Sequence, residues 1–284
     1  MRYKFLRFPQ GKVKAVTLSY DDGRYTDIRF SDVITKAGLK CTFNLCSQKQ
    51  IKDLTAEQKK EYFLDRGHEI AVHCAQHRAP GMQRAITGIK DVLDCRLELE
   101  EEYGLIIRGM AYPDTGIRYF ANEATYENIK HYLTDLDIAY ARTLGKDNNS
   151  FSLPNDWHAW MPTAHHANPK LLEYIEEFLN IEITPDTYGP THHPKLFYIW
   201  GHSIEFERDN NWELLDKICE RLGGRDDIWY ATNMEIYEYV KAYDSIIYSA
   251  DETKMYNPSL FDIWMDIDGE VICIKSGETK TVSK

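Results

Sequence analysis

The chain is 284 residues long, 43% hydrophobic and 13% aromatic, with a formal net charge of -11. That is enough apolar material for one large core or two modest ones, and nothing in it is low in complexity. The acidic balance, without any basic stripe, argues against nucleic acid as a partner and favours a neutral or cationic small-molecule or oligosaccharide substrate.

In chain order, seven short apolar runs read as strands: AVTLSY at 15, CTFNLC at 41, HEIAVH at 68, IIRGMAY at 106, DIAYAR at 137, LFYIWGH at 196 and DIWYAT at 227. The stretches between them, such as GMQRAITGIKDVLDCRLELEEEYG and NNWELLDKICERLGG, carry helical spacing, and the second ends in Gly-Gly. Such alternation implies parallel strands joined by right-handed crossovers. Asp21, Asp22, Asn44, His73, Tyr112, Arg142, His202 and Asn233 all fall at or just past predicted strand ends, the face on which β/α barrels assemble their sites. The expected fold is therefore an α/β barrel over residues 1–247. A long irregular section, KDNNSFSLPNDWHAWMPTAHH, precedes the sixth run, and TPDTYGPTHHP follows a further helix; loops this long tend to be functional. In the last stretch, DIWMDIDGEVICIK alternates apolar and polar around Asp-Gly, which predicts a hairpin within a small β appendage over residues 248–284 packed on the barrel.

The N-terminus lacks a signal-like apolar run and no segment reaches the length of a membrane span, so a cytoplasmic location is expected, with no membrane contact. The six cysteines form no CxxC pair, which suits reduced thiols, and Cys74 reads as a buried spectator. Nothing in the sequence indicates an oligomeric state.

Two stretches carry candidate chemistry. Asp21 and Asp22 close the first strand and are followed by Gly23; adjacent acids are either a plain turn or a metal ligand beside a general base. In GHEIAVHCAQH, His68 and His73 are five apart, which rules out a HExxH zinc motif. His73 and His77 are four apart, and a helical turn starting at the strand end would point both imidazoles at one cation. Two imidazoles and a carboxylate leave coordination positions open for water and substrate, as a hydrolytic metal requires. His68 reads as a hydrogen-bonded strand-edge residue, and His165, His166, His192 and His193 as loop histidines.

LSYDDG, HCAQH and YIWGHS, in this order, resemble the first, second and fifth motifs of the polysaccharide deacetylase superfamily, the NodB-homology domain, which includes carbohydrate esterase family 4. The resemblance spans about Ala15 to Asn233 and implies a distorted (β/α)7 barrel. It further implies that Asp21 is the general base, Asp22, His73 and His77 the metal ligands, and His202 the general acid. The backbone N-H after Pro113, that of Asp114, would help hold the oxyanion. The family's third motif usually reads Arg-x-Pro-Tyr, whereas GMAYPDTG has Ala111 and Asp114 in the arginine and tyrosine positions. Arg142, at the end of the fifth strand, is expected to supply the missing guanidinium. NDWHAW is the loose counterpart of the fourth motif, with Asp156 steering the arginine and Trp157 or Trp160, with Tyr112, lining the sugar groove. Glu205 lies close enough in sequence to tune His202.

The expectation is a metal-dependent hydrolase that removes an acetyl group from an N-acetylated or O-acetylated sugar, with zinc first among the ions and cobalt, nickel, iron or manganese also suited to the donors. Without a secretion signal, a soluble oligosaccharide is the expected substrate rather than a wall polymer. The alternatives are hydrolysis of another C-N bond, such as a cyclic amide or ureide, and a carbohydrate-binding relative without turnover.

Overall fold

The structure, a computed structural model, describes residues 3–48, 53–143, 147–184, 187 and 191–282. In chain order its elements are β1 (Lys4–Arg7), β2 (Lys14–Asp21), α1 (Asp27–Lys36), β3 (Cys41–Leu45), α2 (Ala56–Tyr62), β4 (Glu69–Val72), α3 (Ala85–Tyr103), β5 (Gly109–Ala111), α4 (Tyr126–Asp135) and β6 (Tyr140–Arg142). There follow β7 (Ala164–His165), α5 (Leu171–Leu179), β8 (Lys195–Gly201), α6 (Ser203–Arg208), α7 (Trp212–Leu222), β9 (Ile228–Tyr230), α8 (Asn233–Asp244), β10 (Ile247–Tyr248), β11 (Lys254–Tyr256), β12 (Ile263–Ile267), β13 (Glu270–Ile274) and β14 (Thr279–Thr281).

Seven parallel strands curl in the order β6-β5-β4-β3-β2-β8-β7. The ring is completed by the segment leading into β7: Trp160 N-H donates to the Ala141 carbonyl at 3.0 Å, while Thr163 N-H donates to the Tyr198 carbonyl at 2.9 Å. This is the (β/α)7 barrel that the motifs implied, but with different membership from the seven apolar runs. The closing strand, β7, comes from PTAHH, which has no apolar run. The DIWYAT run becomes β9, which pairs only with Lys14–Val16 at the start of β2. Asn233, expected at the site face, accordingly opens α8 inside the barrel beneath the site. There it accepts a hydrogen bond from the Thr17 hydroxyl at 2.9 Å and donates to the Tyr198 hydroxyl at 2.5 Å.

Every residue of β2 is buried, as expected of a central parallel strand. Val16, Leu18 and Tyr20 face outward into a core shared with Phe30 and Ile34 of α1 and Phe43 of β3. Ala15, Tyr140, Trp160, Leu196 and Tyr198 belong to a second core that continues through Ile236 and Tyr239 of α8 to Met265 and Ile274. The upper end of the barrel is polar, with Ser19, Asp21, Asn44 and Arg142 all buried there.

The hairpin predicted around Asp-Gly is β12 and β13, with Asp268 and Gly269 both at positive φ, as a tight two-residue turn requires. Its outer partner is β1, antiparallel from Lys4 against Ile267 to Arg7 against Trp264. A buried ion pair, Arg7 to Asp266 at 2.9 Å, fastens the N-terminal strand to this sheet. No helix among the described residues is long and apolar enough to cross a membrane.

Candidate active site

Strand alternation sends Thr17, Ser19 and Asp21 to the barrel interior. Asn44 Nδ2, from the neighbouring β3, donates to both the Ser19 hydroxyl and Asp21 Oδ1 at 2.8 Å, so the Asp21 carboxylate is held at the top of a polar ladder. Arg142 Nη2 lies 2.7 and 2.5 Å from the two carboxylate oxygens, and both side chains are buried. The guanidinium also lies over the Trp200 ring, 4.6 Å from its centroid. Burial by itself would raise the Asp21 pKa, but the charge and hydrogen bond of Arg142, with the charge of His202, outweigh it, and the pKa falls below the ordinary carboxylate value.

Asp22 would face away from Asp21 on a continuing strand. Its N-H still donates to the Asn44 carbonyl at 3.0 Å, yet φ is +82°, and this left-handed step turns the carboxylate toward His77. Gly23 follows at φ +66°, where a Cβ would come within 2.8 Å of Leu45 Cδ2. Glycine is therefore needed here because of the β3 side chain and the backbone angle.

The rationale for His73 and His77 needs correction, because no helical turn follows β4. Residues 73–79 are irregular, and Cys74 and His77 adopt φ of +58° and +55°. A doubled-back loop brings the two rings to a centroid separation of 5.0 Å. Asp91 on α3 pegs that loop: Gln76 N-H donates to Asp91 Oδ1 at 2.7 Å and Ala75 N-H to the Asp91 carbonyl at 3.0 Å. Nothing local marks Asp91, fifteen residues past Gln76 on an amphipathic helix. His73 Nδ1 bonds the Ala111 carbonyl at 2.9 Å, which fixes its proton there and turns the Nε2 lone pair to the site. Burial depresses the His73 pKa to about 4 although the charge of Asp21 opposes it, which keeps the ring neutral.

The donor set fits a divalent cation. Asp22, His73, His77 and Cys46 bring ligand atoms within 4.8 Å of one another, and Asp22 Oδ1 is a buried oxygen without a hydrogen-bond partner. Sequence reasoning missed Cys46, although its position just past the strand end was the signal.

His202, the residue before α6, places Nε2 3.9 Å from Asp21 Oδ2 and Nδ1 3.5 Å from Glu205 Oε1. Burial would lower its pKa, but Glu205 and Asp21 reverse the sign and raise it. Glu205 Oε2 also lies 3.1 Å from His165 Nε2 and 3.2 Å from His166 Nε2. Three imidazoles thus surround this carboxylate, and the hydrogen bonds and charges of His165 and His202 depress its pKa far below the ordinary value despite burial.

Asp21, Asp22, His73, His77 and His202 line one open pocket of about 390 Å³, together with Asp114, Arg118 and Trp200. Arg118 and Trp200 were not singled out from the sequence: Arg118 lies in an ordinary turn, and Trp200 looks like one more strand apolar. The aromatics expected to wall the groove are elsewhere. Tyr112 is buried with its hydroxyl on the His158 carbonyl at 2.8 Å, and Trp160 is in the lower core against Tyr140 and Tyr198. Trp157 packs edge-on to Trp160 and Tyr237. Asp156 binds Lys130 and Tyr126, each at 2.7 Å, and does not touch Arg142. The reason is the β6-to-β7 connection: it closes the barrel wall, so its large side chains fill the interior. Pro113 is buried beneath the exposed Asp114, which holds φ +52° at the rim. His192 and His193 pack on Phe5 of β1, away from the pocket, and part of the TPDTYGPTHHP stretch lies outside the described residues.

Residues 8–154 match the family model described as polysaccharide deacetylase. Among curated proteins none matches. Of solved structures, a Mycobacterium smegmatis protein described as a polysaccharide deacetylase aligns over 84% of this chain and 94% of its own at 16% identity, with a TM-score of 0.52, a likeness of fold. A family 4 carbohydrate esterase from Streptomyces lividans, solved with acetate, aligns over 78% of this chain and 93% of its own at 13% identity, with a TM-score of 0.48. The Streptococcus pyogenes deacetylase PplD, also solved with acetate, aligns over 45% of this chain and 55% of its own at 16% identity and a TM-score of 0.39, so the match spans about half of that protein.

Proposed function

The chain belongs to the polysaccharide deacetylase family, and on that premise we propose that it hydrolyses the acetyl group of an N-acetylated sugar, with an O-acetylated sugar as the close variant, using a divalent metal for which zinc is the first choice. The observation that carries this reading is the division of labour between two adjacent carboxylates. Asp21 is held on Arg142, whereas Asp22 turns through its positive φ toward the imidazoles.

Asp22, His73 and His77 would hold the cation, which supplies Lewis acidity to an acetyl carbonyl and to the attacking water. Asp21 takes the proton from that water. Arg142 compensates its charge and orients the carboxylate, the part that an arginine at position 111 would otherwise play. His202, kept protonated by Glu205 and Asp21, donates to the departing nitrogen, so one water is consumed and acetate and a free amine leave. The N-H of Asp114 is available at the rim for the carbonyl oxygen as its negative charge develops. With Tyr112, Trp157 and Trp160 packed away, sugar contact falls to Trp200, Asp114 and Arg118 around the pocket. The pocket volume is within the range of small-ligand sites and suits one or two sugar rings.

The test is acetate release from N-acetylglucosamine oligomers and from O-acetylated xylo-oligosaccharides, by apo protein and by protein reloaded with zinc or cobalt. Release from the N-acetylated series only when metal is present is the expected outcome. A protein loaded to one equivalent that releases acetate from neither series, yet opens a cyclic amide or ureide, contradicts the reading.

A further inference from the structure

Cys46 has no part in the three-ligand arrangement and no assigned role. It is the first residue past β3, and its Sγ-H donates to the His73 carbonyl at 3.1 Å, so the sulfur is packed against the loop that carries both imidazoles. Its Sγ and the donor atoms of Asp22, His73 and His77 all lie within 4.8 Å of one another. Among the described residues no other cysteine joins this group: Cys95, for instance, spends its thiol on the Leu45 carbonyl at 3.2 Å. The structure thus offers four converging donors, one carboxylate, two imidazoles and one thiol, at a point where a buried Asp22 oxygen has no hydrogen-bond partner.

We infer that Cys46 is a fourth, thiolate ligand of the metal centre, an inference that rests on the metal reading above. On ligation the Sγ-H bond breaks, a metal-sulfur bond forms, and the proton passes to solvent. Two consequences follow from coordination chemistry. A soft thiolate selects zinc or cobalt over magnesium and manganese. Four protein donors would also leave fewer positions open for water and substrate than three.

Cobalt loading of the chelator-stripped, untagged chain tests this with a readout independent of turnover. A sulfur-to-cobalt charge-transfer band that saturates at one equivalent is expected in wild type. In Cys46→Ser the band should be missing while cobalt still binds, about 10-fold or more weakly. Stoichiometric cobalt without the band in wild type, or a band that persists in Cys46→Ser, overturns the inference. Failure of wild type to bind cobalt at all is a different result: it removes the metal centre itself, and the role of Cys46 with it. Should Cys46→Ser not fold, iodoacetamide labelling of wild type decides. Zinc should shield Cys46, read by peptide mass spectrometry, and equal labelling with and without one bound zinc equivalent overturns the inference.

Discussion

Two groups of histidines and acids flank the pocket, and they are built for opposite purposes. In the first, His73 gives its Nδ1 proton to the Ala111 carbonyl, so Nε2 presents a lone pair toward Asp22 and His77. In the second, His165 Nδ1 accepts the Ala167 N-H at 3.1 Å, so its Nε2 carries the proton and gives it to Glu205. Both groups bring donor atoms within 4.8 Å of one another, and proximity alone would make both metal sites. The backbone partner of Nδ1 distinguishes His73 from His165: a carbonyl there leaves Nε2 with a lone pair to offer a cation, and an N-H there leaves Nε2 a hydrogen-bond donor. Burial adds to the contrast. His166 is pushed down to about 3, chiefly by desolvation, and stays neutral beside an ionised Glu205, which leaves that carboxylate's charge for His202.

The strongest way to break this comparison is to remove a member of the first group. Asp22→Ala or His73→Ala should abolish metal retention and cut acetate release by about 10³-fold or more, since the Lewis acid is worth several kcal/mol. If His165→Asn loses metal as completely, the assignment of the two groups is wrong. Next in size are the proton-transfer partners: His202→Asn should keep its metal and lose roughly 10²–10⁴-fold in turnover. Arg142→Ala should do likewise and shift the acid limb of the pH profile upward, because Asp21 loses the guanidinium that lowers its pKa. An unchanged pH profile would remove Arg142 from the mechanism.

Glu205→Gln sharpens the comparison from the other side. Metal content should be unaffected, turnover should fall by about 10-fold, and the alkaline limb should move to lower pH, because the carboxylate that helps hold the proton on His202 is gone. A lower metal content would recast the second group as ligands. The smallest effect concerns a third acid, Asp27, buried at the start of α1 and pushed up to about 7, chiefly by burial. A raised folded-state pKa means stability that is full below the unfolded value and lost as pH rises through the folded one. Asp27→Asn should therefore match wild type near pH 4 and exceed it by about 2–4 °C in Tm at pH 7. A Tm difference that does not change with pH would place the Asp27 effect outside ionisation.

How much of this was legible in the sequence depends on whether the cause is local. The Asp-Asp-Gly strand end, the helices and the Asp-Gly hairpin were all readable, because period, turn chemistry and Gly-Gly stops are written within a dozen residues. Arg142 could be placed beside Asp21 only by asking which strand end might replace the arginine absent at Ala111. What stayed hidden has long-range causes. β7 is two residues long and exists because β6 and β8 both bond the chain entering it. β1 pairs with β12 across nearly the whole chain length. The His73 to His77 spacing suggested a helix, yet Asp91 and two left-handed residues shape a loop instead. Tyr112 and Trp160 looked like sugar platforms, and closure of the barrel buried them.

The central claim is that Asp22, His73 and His77 hold one catalytic cation while Glu205, His165 and His166 hold none. Elemental mass spectrometry on untagged wild type, Asp22→Ala, His73→Ala and Glu205→Gln, each purified and then reconstituted with zinc, tests it most directly. The account predicts about one equivalent in wild type and in Glu205→Gln and almost none in the other two; no metal in reconstituted wild type, or loss only in Glu205→Gln, would contradict it.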